Sequence, residues 1–89
     1  MKAIHVYISG RVQGVGYRVN TKRKAQKLGV NGWVKNRMDG RVEAFFESEE
    51  ENLQKMVSWC WQGPPAADVD DIMTEKAELK EYQSFEIRR

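Results

Sequence analysis

Apolar and polar residues alternate over residues 3–8, with Ile4, Val6 and Ile8 on one face and His5 and Tyr7 on the other, the period of a half-buried strand. The period then becomes helical. Tyr17, Thr21, Ala25 and Leu28 recur along a segment from about Arg18 to Leu28, and Gly29 supplies a stop. A second strand is predicted over Val30 to Asn36 around Trp33, and Asp39-Gly40 marks a tight turn into a third, Arg41 to Glu47, with Val42, Ala44 and Phe46 on one face. Ser48-Glu49-Glu50-Glu51 has the spacing of a capping box opening a second helix. The predicted buried stripe of that helix is Leu53, Met56, Val57, Cys60 and Trp61, and Gly63-Pro64-Pro65 ends it. A fourth strand follows from about Ala67 to Glu75. Val69 and Ile72 break its period of two, which predicts a bulge near Asp70-Asp71. Ser84 to Arg88 closes the chain as a short strand with Phe85 and Ile87 inward.

The order β-α-β-β-α-β, with a short last strand, predicts an α+β fold of the ferredoxin-like kind. Its antiparallel sheet would carry both helices on one face. Eighty-nine residues suit a single domain, 1–89, with one modest core. No run approaches the ~20 apolar residues of a membrane span. The N-terminus reads as a strand rather than a secretory leader, and the lone Cys60 excludes an internal disulfide, so a cytoplasmic location is expected. Cys60 lies on the helix stripe and is read as packing.

The net charge is only +2, but its distribution is uneven. Residues 1–41 hold ten Lys/Arg and one Asp; residues 42–89 hold five Lys/Arg and twelve Asp/Glu. The basic half contains Gly10-Arg11-Val12-Gln13-Gly14-Val15-Gly16-Tyr17-Arg18, three glycines between a strand and a helix start. Glycine lets successive N–H groups turn toward one point, a helix N-terminus adds its own, and an arginine placed there contributes a planar fork of donors. The segment reads as a phosphate cradle. Lys22, Arg23, Lys24 and Lys27 read as a solvated helix face. Asn36, at the end of the second strand, offers an amide that can either hold a water or satisfy the backbone of the turn beside it.

Gly10 to Arg18, Leu28 to Asn36, Asp39 to Glu43, Gly63 to Val69 and Phe85 to Arg88 together resemble the acylphosphatases, in order and over essentially the whole chain. The resemblance implies hydrolysis of acyl phosphates to a carboxylate and inorganic phosphate. It implies that Arg18 and Asn36 are catalytic, and that the backbone of Gln13, Gly14, Val15, Gly16 and Tyr17, with Arg18, binds phosphate. Asn36 would position the attacking water in line. A carboxylate leaves readily, since its conjugate acid has a pKa of about 4, so no strong general acid is required; the water's proton would pass to the substrate's own phosphoryl oxygen, so no protein base is required either. No cofactor and no metal are expected: Asp68, Asp70 and Asp71 lack a histidine partner and read as a solvated edge. His5 reads as packing or surface. The expected partners are the small acyl phosphate and phosphate alone, with a monomer and neither nucleic acid nor membrane.

Three residues depart from the family pattern. Tyr17 stands where many relatives have Phe, placing a hydroxyl beside the loop. Arg41 stands where a small hydroxyl residue is frequent, which bears on the support of Asn36. Ser48 replaces a frequent glycine. Acylphosphatase-like domains also open larger hydrogenase-maturation proteins that handle carbamoyl phosphate. No further domain follows in this sequence, so a free-standing enzyme is expected. An RNA-recognition role is disfavoured because Arg41 to Glu47 lacks the paired aromatics of that motif.

Overall fold

The computed structural model describes residues 1–89. The elements are β1 (Lys2–Arg11), α1 (Tyr17–Leu28), β2 (Asn31–Asn36), β3 (Val42–Ser48), α2 (Glu50–Gln62), β4 (Asp68–Ala77) and β5 (Phe85–Arg88). They form one five-stranded sheet in the order β4-β1-β3-β2-β5. The alternation of Ile4, Val6 and Ile8 works as expected. Val6 and Ile8 are fully buried beside Val34, Val42, Ala44 and Phe46, in a core that also takes Ala25 from α1 and Met56 from α2. Both helices therefore cover the same face. The bulge is present as well: Ser9 pairs with Asp71 and Gly10 with Val69, leaving Asp70 without a partner on β1.

The sheet is mixed, not wholly antiparallel. β1–β3, β1–β4 and β2–β3 are antiparallel, but β5 runs parallel to β2. The register explains why. β4 ends at Ala77 opposite Ala3, the end of the sheet at which Asn31 of β2 pairs with Glu47. A chain that crosses from there to the far edge can only run alongside β2 in its own direction. The crossing segment is anchored by Glu47, whose buried carboxylate accepts the backbone N–H groups of Lys80, Glu81 and Tyr82. Tyr82 then packs edge-on against Phe45, with ring centroids 5.6 Å apart, on the face away from the helices.

Three local expectations are corrected. Ser48 does not cap α2. It is the last residue of β3, and its hydroxyl donates to the Gly29 carbonyl (3.1 Å), so Glu49 becomes the N-cap without a side-chain bond. Trp61 is 49% exposed, one helical step beyond the buried Cys60, and Trp59 packs toward the core instead, 5.6 Å from the Tyr17 ring. Ile87, on the short edge strand β5, remains 38% exposed.

The Tyr17 hydroxyl is not beside the loop. It is buried and donates to the Cys60 carbonyl at 2.6 Å. In α2 that carbonyl would normally accept from residue 64, which is Pro64 and has no N–H. Burial, followed by the proximity of Cys60, holds the phenol pKa far above its ordinary value, and burial pushes the Cys60 thiol up to about 12. Tyr17→Phe would leave a buried carbonyl unserved at the end of α2. It is expected to cost about 1–3 kcal/mol, read as a lower urea midpoint with kcat unchanged. An unaltered midpoint would show that the hydroxyl contributes nothing.

Candidate active site

β1, β2 and β3 bring the expected residues to one end of the sheet. Ile8 pairs with Val42, and Val42 with Asn36, so the end of β1, the start of β3 and the end of β2 lie in one row. The glycine loop leaves β1 at this end and leads into α1. Gly14 (φ 74°) and Gly16 (φ 79°) hold the left-handed conformation that a side chain disfavours. A Cβ at Gly14 would meet nothing within 4 Å, so the backbone conformation, not crowding, calls for glycine there.

The N–H groups of Gln13, Gly14, Val15 and Gly16 donate to no protein acceptor. The helical ladder begins only with Asn20 N–H to the Gly16 carbonyl (3.2 Å), so the first-turn N–H groups of Tyr17, Arg18 and Val19 add to the set. The first turn of α1 holds no acidic residue, unlike that of α2 with Glu50 and Glu51. The positive end of the α1 dipole is thus not offset by its own sequence. Arg18, the second residue of α1, is half-buried and makes neither an ion pair nor a hydrogen bond with the protein. A guanidinium at the head of such a run of donors suits an anion with several oxygens.

Asn36 is held at the end of β2 by its ladder pairing to Val42. Its amide does not serve the turn. The hairpin is closed by Arg37 N–H to the Arg41 carbonyl (2.8 Å) and Gly40 N–H to the Arg37 carbonyl (3.3 Å). Arg41 N–H donates to Asp39 Oδ1 (3.1 Å). Asn36 Oδ1 is buried without a hydrogen-bond partner. Among the two readings open from sequence, satisfaction of the turn is therefore disfavoured.

Arg41 is turned to other work. Its Nε and Nη2 donate to Asp39 Oδ2 (3.1 and 2.9 Å), and its guanidinium lies 5.1 Å from the Tyr7 ring centroid. Arg37 is held likewise by Asp39, by Glu43 (3.0 Å) and over Tyr7. His5 donates to Glu43 Oε2 at 2.6 Å and stacks on Tyr7, on the face away from the helices. Sequence reasoning missed this cluster. The signal available was Asp39 set between Arg37 and Arg41 at two-residue spacing.

The Arg41 side chain and backbone, and then Arg37, hold the Asp39 carboxyl well below the usual carboxylate range. At Glu43 burial pushes the other way, but His5, Arg37 and Lys35 together keep its carboxyl below its ordinary value. Both pKa values are depressed on folding. The stability they contribute is complete above about pH 5, clear of the unfolded carboxyl values, and is lost as pH falls through the folded values. The urea midpoint is expected to fall between about pH 5 and about pH 2, and Asp39→Asn to flatten that fall. An equally steep fall in the variant would remove Asp39 from the explanation.

No three His, Cys, Asp or Glu side chains converge to hold a metal ion, and Asp68, Asp70 and Asp71 lie exposed along edge strand β4. No helix is long and apolar enough to cross a membrane. A concavity of about 920 Å³ lies elsewhere, between the N-terminus, α2 and β4, and neither Arg18 nor Asn36 lines it.

Residues 4–87 match the family model for acylphosphatases. The acylphosphatase of Acaryochloris marina is 52% identical over 82 residues, spanning 92% of this chain and 88% of that protein. That of Trichormus variabilis is 49% identical over 86 residues, spanning 97% and 85%. The crystal structure of acylphosphatase from Bacillus subtilis superposes over the full length of both chains with a TM-score of 0.98 at 39% identity.

Proposed function

The chain belongs to the acylphosphatase family, and we propose that it hydrolyses the carboxyl-phosphate bond of acyl phosphates by attack of water at phosphorus, without a metal. The observation that carries this reading is the half-buried, unpartnered Arg18 at the head of a run of N–H groups, Gln13 through Val19, that the protein leaves without acceptors. In the proposed reaction those donors hold the phosphoryl oxygens and stabilise their charge as it redistributes in the transition state. Asn36, whose amide makes no bond within the protein, orients the water opposite the leaving group.

The bond between phosphorus and the carboxyl oxygen breaks, and the carboxylate departs with its electron pair. The water oxygen bonds to phosphorus, and its proton passes to an oxygen of the transferred phosphoryl group. A leaving group whose conjugate acid has a pKa of about 4 needs no proton from the protein. That fits the engagement of the titratable groups around the hairpin: His5 and Glu43 are bonded to each other, and Asp39 to two arginines. The testing experiment is hydrolysis of a generic aryl acyl phosphate with and without EDTA. Equal turnover in both is expected. Activity lost to EDTA and restored by Mg²⁺ or Zn²⁺ would overturn the metal-free reaction, and an absence of turnover would overturn the proposal itself.

A further inference from the structure

Gln13 was expected to contribute only its backbone, yet its side chain is committed elsewhere. Nε2 donates to the Arg37 carbonyl at 2.8 Å and to the Arg41 carbonyl at 3.0 Å. Two carbonyl partners identify the facing atom as the amide nitrogen, and both of its hydrogens are in use. These are the side-chain hydrogen bonds that tie the glycine loop to the β2–β3 hairpin. They land on the two residues that close the turn, and Arg37 directly follows Asn36.

The hairpin does not need these bonds for its own closure. The Arg37 carbonyl already accepts from Gly40, and the Arg41 carbonyl from Arg37. Asp39 braces the turn from its other side through Arg37 and Arg41. What Gln13 adds is a fixed separation between the loop and the hairpin that follows Asn36. Asn36 has no side-chain bond of its own to hold its amide in place relative to the loop.

We infer that Gln13 is a positioning residue for the hydrolysis, its side-chain amide locking the loop that holds the phosphoryl group to the hairpin that carries Asn36. The inference rests on the proposed roles of the loop and Asn36. Because that amide nitrogen is already committed to the hairpin, its loss acts on the alignment of water with phosphorus and leaves anion affinity largely intact. Misplacement of a reacting group by about 1 Å costs on the order of 10²-fold in rate.

The test compares the parent with Gln13→Met, of similar length but without donors, and Gln13→Lys, whose ammonium offers donors to both carbonyls. Steady-state kinetics with an aryl acyl phosphate, inhibition by inorganic phosphate and thermal unfolding are measured for each. Gln13→Met is expected to lower kcat by about tenfold or more while the phosphate inhibition constant moves less than about threefold. Gln13→Lys is expected to recover most of the lost kcat. Hydrogen exchange at the Arg37 amide, read without substrate, is expected to quicken in Gln13→Met.

An active parent whose Gln13→Met variant keeps its kcat, loses kcat and phosphate affinity in equal measure, or is not improved on by Gln13→Lys would overturn the positioning role alone. An unchanged Arg37 exchange rate would do the same. A parent without turnover would overturn the proposed function, and this role with it.

Discussion

Arg18→Ala is expected to lower kcat/KM by about 10³-fold or more and to weaken inhibition by inorganic phosphate together with it. The guanidinium would act on both ground and transition states, because the charge it meets is present in each. Lysine at the same position should rescue little, since a point charge cannot replace the planar fork. Stability serves as the control. Arg18 forms no ion pair or hydrogen bond within the protein, so its loss removes no internal contact of that kind and the unfolding midpoint should hold. A folded Arg18→Ala protein with near-normal turnover would show that the anion is held elsewhere.

Asn36→Ala separates water from phosphate. A fall in kcat of about 10²-fold is expected, with the phosphate inhibition constant nearly unchanged. The stability should stay level or rise, because the substitution removes a buried oxygen that has no partner and whose desolvation costs about 1–3 kcal/mol. Activity lost while stability is kept is the mark of a group held for function rather than for the fold. Equal loss of kcat and phosphate affinity would move Asn36 to anion binding. A large fall in the unfolding midpoint would return it to the turn.

Much of the fold was legible because the core imposes its period on the chain. Ile4, Val6 and Ile8 must share a face if one face is covered, and the phase break between Val69 and Ile72 had to appear as the bulge at Asp70. What was not legible depends on distant partners. The direction of β5 follows from where β4 ends relative to β2 and from the Glu47 anchor, neither of which leaves a local pattern. Ser48 has the right spacing for a cap, but the ladder to Lys2 extends through it and the Gly29 carbonyl claims its hydroxyl.

The same division holds at the site. A glycine loop before a helix with arginine at its start has a local signature, and the structure leaves those donors without protein acceptors. The side chain of Gln13 has no such signature. Its acceptors are carbonyls 24 and 28 residues away, indistinguishable in sequence from any others. Tyr17 is similar: its hydroxyl is explained only when Pro64 is seen to deprive the Cys60 carbonyl of its usual donor.

The central claim is that water attacks phosphorus on a phosphoryl group held by the loop and Arg18. Hydrolysis in water enriched in heavy oxygen, with the products separated and weighed by mass spectrometry after a single turnover, tests it most directly. The account predicts the heavy atom in inorganic phosphate and none in the carboxylate. Label in the carboxylate would place the attack at the acyl carbon and contradict the assignment of Arg18 and Asn36 to phosphoryl transfer.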